Sequence, residues 1–124
     1  MNAEVPPADL AEAVAEFDLA YLVTVSAETL PHVVTVAPVA RTGTLQVAAP
    51  GRHTRRNVAT HPVVTLIFAA PRPADYSLIV DGRGVLTDDH LIITPTRAIL
   101  HRPATPDRIP AADECANDCR EMPL

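Results

Sequence analysis

The chain has 124 residues, a length for one domain with a modest core. Apolar residues make up 48% of it, which excludes a disordered chain, and no apolar run approaches the roughly 20 residues that span a bilayer. The net charge is −5, and all ten basic residues are arginine.

That acidic total hides a segregation. Residues 1–28 carry six acids and no arginine, residues 29–74 carry five arginines and no acid, and residues 75–124 carry nine acids and five arginines. The basic middle either favours an anionic ligand or is a solvated basic face, and composition leaves both open. The acidic start "MNAEVPPADL" has no apolar core, so no secretory signal is expected. Two cysteines, Cys115 and Cys119, are too few for a disulfide framework, and the expected compartment is a reducing cytoplasm.

In chain order, Asp9-Leu10-Ala11-Glu12 has the spacing of a helix start, with Asp9 as cap, and predicts a short helix to about Phe17. "LAYLVTVS" (19–26) reads as a strand, "AETLP" as a turn and "HVVTVAPVA" (32–40) as a second strand. "RTGT" (41–44) is a hairpin turn into a third strand over 45–49, so the second and third strands are expected to pair antiparallel. Thr54 is predicted to cap a helix over Arg55–Thr60 that stops before Pro62. "VVTLIFAA" (63–70) is a strand apolar on both faces. The last long strands, 76–87 and 90–101, join through Asp88-Asp89, and Pro95 marks an edge or a bulge. From Pro103 the chain is rich in Pro, Ala and Asp, so a barrel domain over 1–103 and a loose tail over 104–124 are expected. The sum is a mainly β protein, a six-stranded antiparallel barrel with two or more short helices. The second apolar face of 63–70 needs cover from a helix or from a second copy of the chain, and a homodimer is the expectation.

The densest chemistry lies in "GRHTRRNVATHP" (51–62). A turn at Gly51, the arginines Arg52, Arg55 and Arg56, and a helix start together sketch an anion site, with Arg52 or Arg55 as the main arm. Adjacent arginines point about 100° apart on a helix, so Arg55 and Arg56 do not share one phosphate. The five histidines have no metal-ligand spacing, although His53 and His61 can assist an anion or face solvent. Cys115 and Cys119 are four apart, which is not a CxxC site. "DGRG" (81–84) predicts a bulge or a close backbone approach and not a dinucleotide fingerprint. With four aromatics and an acidic total, a nucleic-acid partner is not expected. No acid–base or nucleophile constellation is legible, so the catalytic residues are unknown.

The order "PHVVTVAP", hairpin, "GRHTRRNVATHP", apolar strand, "DYSLIVDGRG" resembles the flavin-binding split β-barrel proteins of the pyridoxamine 5′-phosphate oxidase-like family over residues 10–102. The pattern Gly-Arg-x-[Lys or Thr]-x-Arg-Asn-[aliphatic]-x-x-x-Pro falls on Gly51, Arg52, Thr54, Arg56, Asn57, Val58 and Pro62. The resemblance implies a homodimer with FMN, or alternatively a deazaflavin, at the interface. It puts the phosphate on Arg52 and a second arm, usually lysine, on Thr54, a lost charge that Arg55 or Arg56 would have to replace. It puts the ring against Val36, Ala37 and Pro38, and the ribityl chain near Ala48 and Ala49. The vitamin-binding ending of the true oxidases is missing, since the chain ends "DECANDCREMPL". The implied function is an FMN-binding oxidoreductase acting on an unknown small molecule, or a flavin, deazaflavin or haem carrier. Arg97 and His101 would hold a substrate anion if their strand borders the pocket and are rim residues otherwise. Tyr76 and Ser77 would face the partner's cofactor or belong to the core.

Overall fold

The computed structural model describes residues 9–104 and 118–124. Helix α1 (Leu10–Val14) starts as the sequence predicts, with the Asp9 carboxylate accepting the backbone N–H of Glu12 at 2.8 Å. The strands are β1 (Ala20–Val25), β2 (Pro31–Val36), β3 (Val39–Arg41), β4 (Thr44–Ala48), β5 (Val63–Phe68), β6 (Ser77–Leu86), β7 (His90–Arg102) and β8 (Asp118–Met122). Helix α2 (Arg52–Thr60) lies between β4 and β5.

All strand pairings are antiparallel, in the order β2-β1-β5-β6-β7-β4-β3, with β8 added on β7. The two edge strands β2 and β3 are joined only by Ala37 and Pro38. Three extended steps reach about 11 Å. The edges of the sheet must therefore meet, and the sheet curls into a barrel split between β2 and β3. Inward residues of alternating strands fill it: Leu22, Val64, Leu66, Phe68, Leu78, Val80, Leu91 and Ile93 are all buried. On the outer side, Tyr21 of β1, Val33 of β2, Val63 of β5 and Val85 of β6 stay exposed, Val63 at 54%.

Four expectations change. The second strand, read as 32–40, breaks at Ala37-Pro38 because proline has no N–H to donate, and only its 39–41 end pairs with β4. Its larger part pairs with β1. Helix α2 begins three residues earlier than predicted, with Gly51 at its N-cap and no side-chain cap. Thr54 is its buried third residue and not its cap. Among the described residues the count is eight strands and not six, because of that break and because the tail expected to be loose supplies β8. Tyr76, one of the two ambiguous residues, is core: it is fully buried and its hydroxyl donates to Asp118 at 2.5 Å.

The Asp118 carboxylate also accepts Arg102 at 3.0 Å and Arg120 at 3.3 Å. The Arg102 guanidinium lies over the Tyr76 ring, 4.8 Å from its centroid. This cluster ties β8 to β7 where local sequence pattern gives no strand signal. The Tyr76 hydrogen bond, helped by Arg120 and Arg102, holds the Asp118 carboxyl below its ordinary range. Burial, and then the neighbouring Asp118, push the Tyr76 hydroxyl up.

Pro95 sits at a bulge. Asp81 pairs with Arg97 and Gly82 with Pro95, which leaves Thr96 as the extra residue. The close approach expected at "DGRG" is real: a Cβ on Gly82 would lie 2.6 Å from Ile93 Cγ2 and 2.7 Å from the Thr94 carbonyl.

Candidate functional site

Three segments converge on a cleft of about 480 Å³ beside the start of α2. β2 alternates strictly, so His32, Val34 and Val36 turn inward, half-buried, while Val33 turns out. β4 brings Val47, and the chain then leaves the sheet through Ala48, Ala49 and Pro50. Ala49 sits in the left-handed region at φ 49°, with its N–H donated to the Asp89 carbonyl at 2.8 Å. An L-residue pays about 1 kcal/mol or more for that conformation, so strain is stored at the cleft wall.

The kink delivers Gly51 and the first turn of α2. Gly51 has no side chain with which to cap the helix, and Gly51, Arg52, His53 and Thr54 all line the cleft. The first N–H groups of a helix lack intrahelical partners and carry its partial positive charge. Among the described residues, the lining side chains that can carry charge are Arg52, His32 and His53, and no carboxylate is among them. The wall below is apolar, from Leu22, Val34, Val36 and Val47. Such a concavity, apolar in depth and cationic at one end, suits a flat apolar body carrying an anionic tail.

Of the residues singled out in the sequence, Val36, Ala37, Ala49, Arg52 and Thr54 meet in this cleft. Four others do not. Pro38 lines a separate hollow against α1, with Val14 and Phe17. Arg55 reaches the opposite way, donating to the carbonyls of Thr87 at 3.0 Å and Asp88 at 2.7 Å. Arg56 is exposed and outside the cleft lining. Asn57 is buried and donates its side-chain amide to the Thr24 hydroxyl at 3.0 Å, pinning α2 to β1.

Sequence reasoning missed His32, and gave His53 only a general role. Their rings lie tilted against each other at a centroid distance of 5.7 Å, and His32 Nδ1 is buried with no hydrogen-bond partner. The available signal was the period of two that puts His32 on the face of Val34 and Val36. Arg97 is exposed and His101 lies 3.1 Å from the Cys119 thiol, and neither lines the cleft. His61 ends α2 and His90 opens β7. Ser77 accepts the Ala70 N–H at 2.9 Å. Cys115 lies outside the described residues. Among the described residues there is no metal-holding group of three His, Cys, Asp or Glu side chains, and no helix long and apolar enough to cross a membrane.

No family model matches the chain. Two mycobacterial proteins named only as uncharacterized, from Mycobacterium bovis and Mycobacterium tuberculosis, are each 37% identical to it over 126 residues, covering 89% of this chain and 89% of theirs. Among solved structures, a protein of Listeria innocua assigned as pyridoxamine 5′-phosphate oxidase matches with a TM-score of 0.62 at 13% identity, over 70% of this chain and 90% of that one. An F420 reductase matches with a TM-score of 0.60 at 18% identity, over 76% and 98%. A haem-binding protein from Mycobacterium smegmatis matches with a TM-score of 0.62 at 14% identity, over 94% and 59%. At these identities the structural likeness is one of fold.

Proposed function

Because the chain belongs to the family of the two mycobacterial proteins and folds as a pyridoxamine 5′-phosphate oxidase-like split barrel, we propose that it binds a phosphorylated flavin in the cleft beside α2 and acts as an oxidoreductase on a small molecule. The ligand is FMN or, alternatively, a deazaflavin. The observation that supports this most is the cleft itself: an apolar wall closed at one end by Arg52 and an uncapped helix start, with no carboxylate in the lining among the described residues. The residues fit the group. Ala37, Ala48 and Ala49 leave room beside the wall, and the buried, unpaired Nδ1 of His32 is a polar atom that a ligand would satisfy.

When bound, the flavin supplies the hydride chemistry. The chain's part is to hold and orient it. Arg52 presents its guanidinium fork to the phosphate, the first-turn N–H groups add to it, and Thr54 offers a hydroxyl. Val34, Val36 and Val47 exclude water from the apolar end. No side chain is assigned as acid or base. The exposed apolar face with Tyr21, Val33, Val63 and Val85 suits a second copy of the chain, so the working form is proposed as a homodimer with the cofactor near its interface, in the cytoplasm.

A second reading, haem carriage without turnover, is favoured by one observation: two imidazoles, of His32 and His53, line the cleft and would be available to hold the iron of a bound haem. Titration of the purified protein with FMN, F420 and haemin, followed by absorption and fluorescence, separates the two. Saturable binding of FMN or F420, weakened by Arg52→Ala far more than riboflavin binding is, supports the flavin reading. A Soret band with haemin alone replaces it with the carrier reading, and binding by none of the three overturns both.

A further inference from the structure

Among the described residues, three other than glycine hold a positive φ: Thr29 at 64°, Thr42 at 48° and Ala49 at 49°. Two of them belong to hairpins. Thr42 and Gly43, the latter at 79°, form the two-residue turn between β3 and β4, where paired positive φ values match the twist of the strands. Thr29 lies in the β1–β2 turn, with its N–H donated to the Ser26 carbonyl at 2.9 Å. Ala49 is in no hairpin. It stands between β4 and α2, directly before Pro50. A residue before proline is driven toward extended backbone, so the local sequence disfavours the conformation that Ala49 holds. A distant segment overrules it: the Asp89 carbonyl, in the turn between β6 and β7, accepts the Ala49 N–H at 2.8 Å.

The neighbours of Ala49 have little freedom of their own. Pro50 has a fixed φ. From Gly51 onward the chain is held by the helix, whose first turn closes with the Arg55 N–H donated to the Gly51 carbonyl at 2.9 Å. Further along, Asn57 ties α2 to β1. Ala49 is therefore the joint that sets the direction of the first turn of α2 relative to β4. Both sides of the joint line the cleft, Val47 and Ala48 before it and Gly51, Arg52 and Thr54 after it. Backbone strain persists where the surroundings over-determine it, and it collects at ligand sites.

We propose that Ala49 is a positioning residue of the phosphate arm: its left-handed backbone, locked to the Asp89 carbonyl, presets Gly51, Arg52 and Thr54 against the apolar wall before a flavin phosphate arrives. The inference rests on the flavin reading of the cleft and adds where the geometry of the arm is decided. Glycine would take the positive φ without strain. It would also take many other conformations, and a ligand would have to freeze that freedom on binding. Alanine is strained at this joint but leaves the arm fewer directions to point in.

Ala49→Gly separates the two effects, because they have opposite signs. Relief of the left-handed alanine should raise the melting temperature by about 2–5 °C. Freedom at the joint should weaken FMN about twofold to fivefold more than riboflavin, which has no phosphate and reports only the missing methyl. Thermal unfolding and calorimetric titrations of FMN and riboflavin read both. A higher melting temperature with an unchanged ratio of FMN to riboflavin affinity, while FMN binding still depends on Arg52, overturns the proposal and leaves the flavin reading standing. A melting temperature that does not rise overturns it as well, because Ala49 would then not be strained. Lack of FMN binding removes the phosphate arm and the proposal with it, and lack of binding by both FMN and F420 removes the flavin reading too.

Discussion

Arg55→Ala separates the two arginines that the sequence leaves competing for one role. In the structure Arg55 spans from α2 to the β6–β7 turn and donates to two carbonyls at 3.0 and 2.7 Å. A hydrogen bond from a charged donor contributes about 1.5–3 kcal/mol when buried. Arg55 is only half-buried, and the Thr87 and Asp88 carbonyls lie in an exposed turn where water replaces the lost donors. Screening and rehydration bring the expected loss to about 1–2 kcal/mol for the pair. For a chain of this size that lowers the melting temperature by roughly 3–10 °C. Thermal and urea unfolding measure the loss, and FMN and riboflavin titrations of the folded variant measure the site. Stability should fall while the ratio of FMN to riboflavin affinity stays near that of the unsubstituted protein. Unchanged stability with a selective loss of FMN would refute the reasoning, because it would put Arg55 on the phosphate and not on the turn.

Asn57→Ala removes the amide and leaves the buried Thr24 hydroxyl unpaired, so the unfolding free energy should drop by about 1–3 kcal/mol, read as a lower urea midpoint with no change in slope. Gly82→Ala places a methyl against the Thr94 backbone and should cost about 1–3 kcal/mol, read in the same way; a neutral result would mean that β6 and β7 separate easily there. Asp118 has its pKa lowered in the folded state, so its contribution is present above the unfolded value near pH 4 and is lost as pH falls through the folded one. Tyr76 is raised, so its contribution is present below about pH 10 and is lost as pH rises through the higher folded value. Asp118→Asn should flatten the acid limb of a stability–pH curve, and identical acid limbs would count against the cluster.

The parts of the fold that were legible in the sequence are those written locally. The Asp9 cap, the Arg41–Thr44 hairpin, the irregularity at Pro95 and the apolar strand β5 all follow from residues within a few positions of one another. The break at Pro38 carried its signal too, but the apolar run across it masked the missing donor. β8 was not legible, because "DCREM" buries only Met122 and is held by Tyr76 and Arg102 from distant strands. The candidate site divides in the same way. Arg52 could be placed from its motif, whereas the His32–His53 pair exists only once β2 and α2 are brought side by side. Arg55 looked like a ligand arm because its carbonyl partners, 32 and 33 residues away, are invisible to any local pattern.

Strand β7 bonds β6 along one side, and β4 and β8 along the other. As the chain emerges from the ribosome, the β3–β4 hairpin therefore has no neighbour in the sheet until residues 90–93 have been made. Every residue lining the cleft lies between positions 22 and 54, yet the wall that β4 provides waits for a strand synthesised some 40 residues later. Nascent chains cut short before His90 should hold the β1–β2 and β1–β5 pairings without a formed cleft.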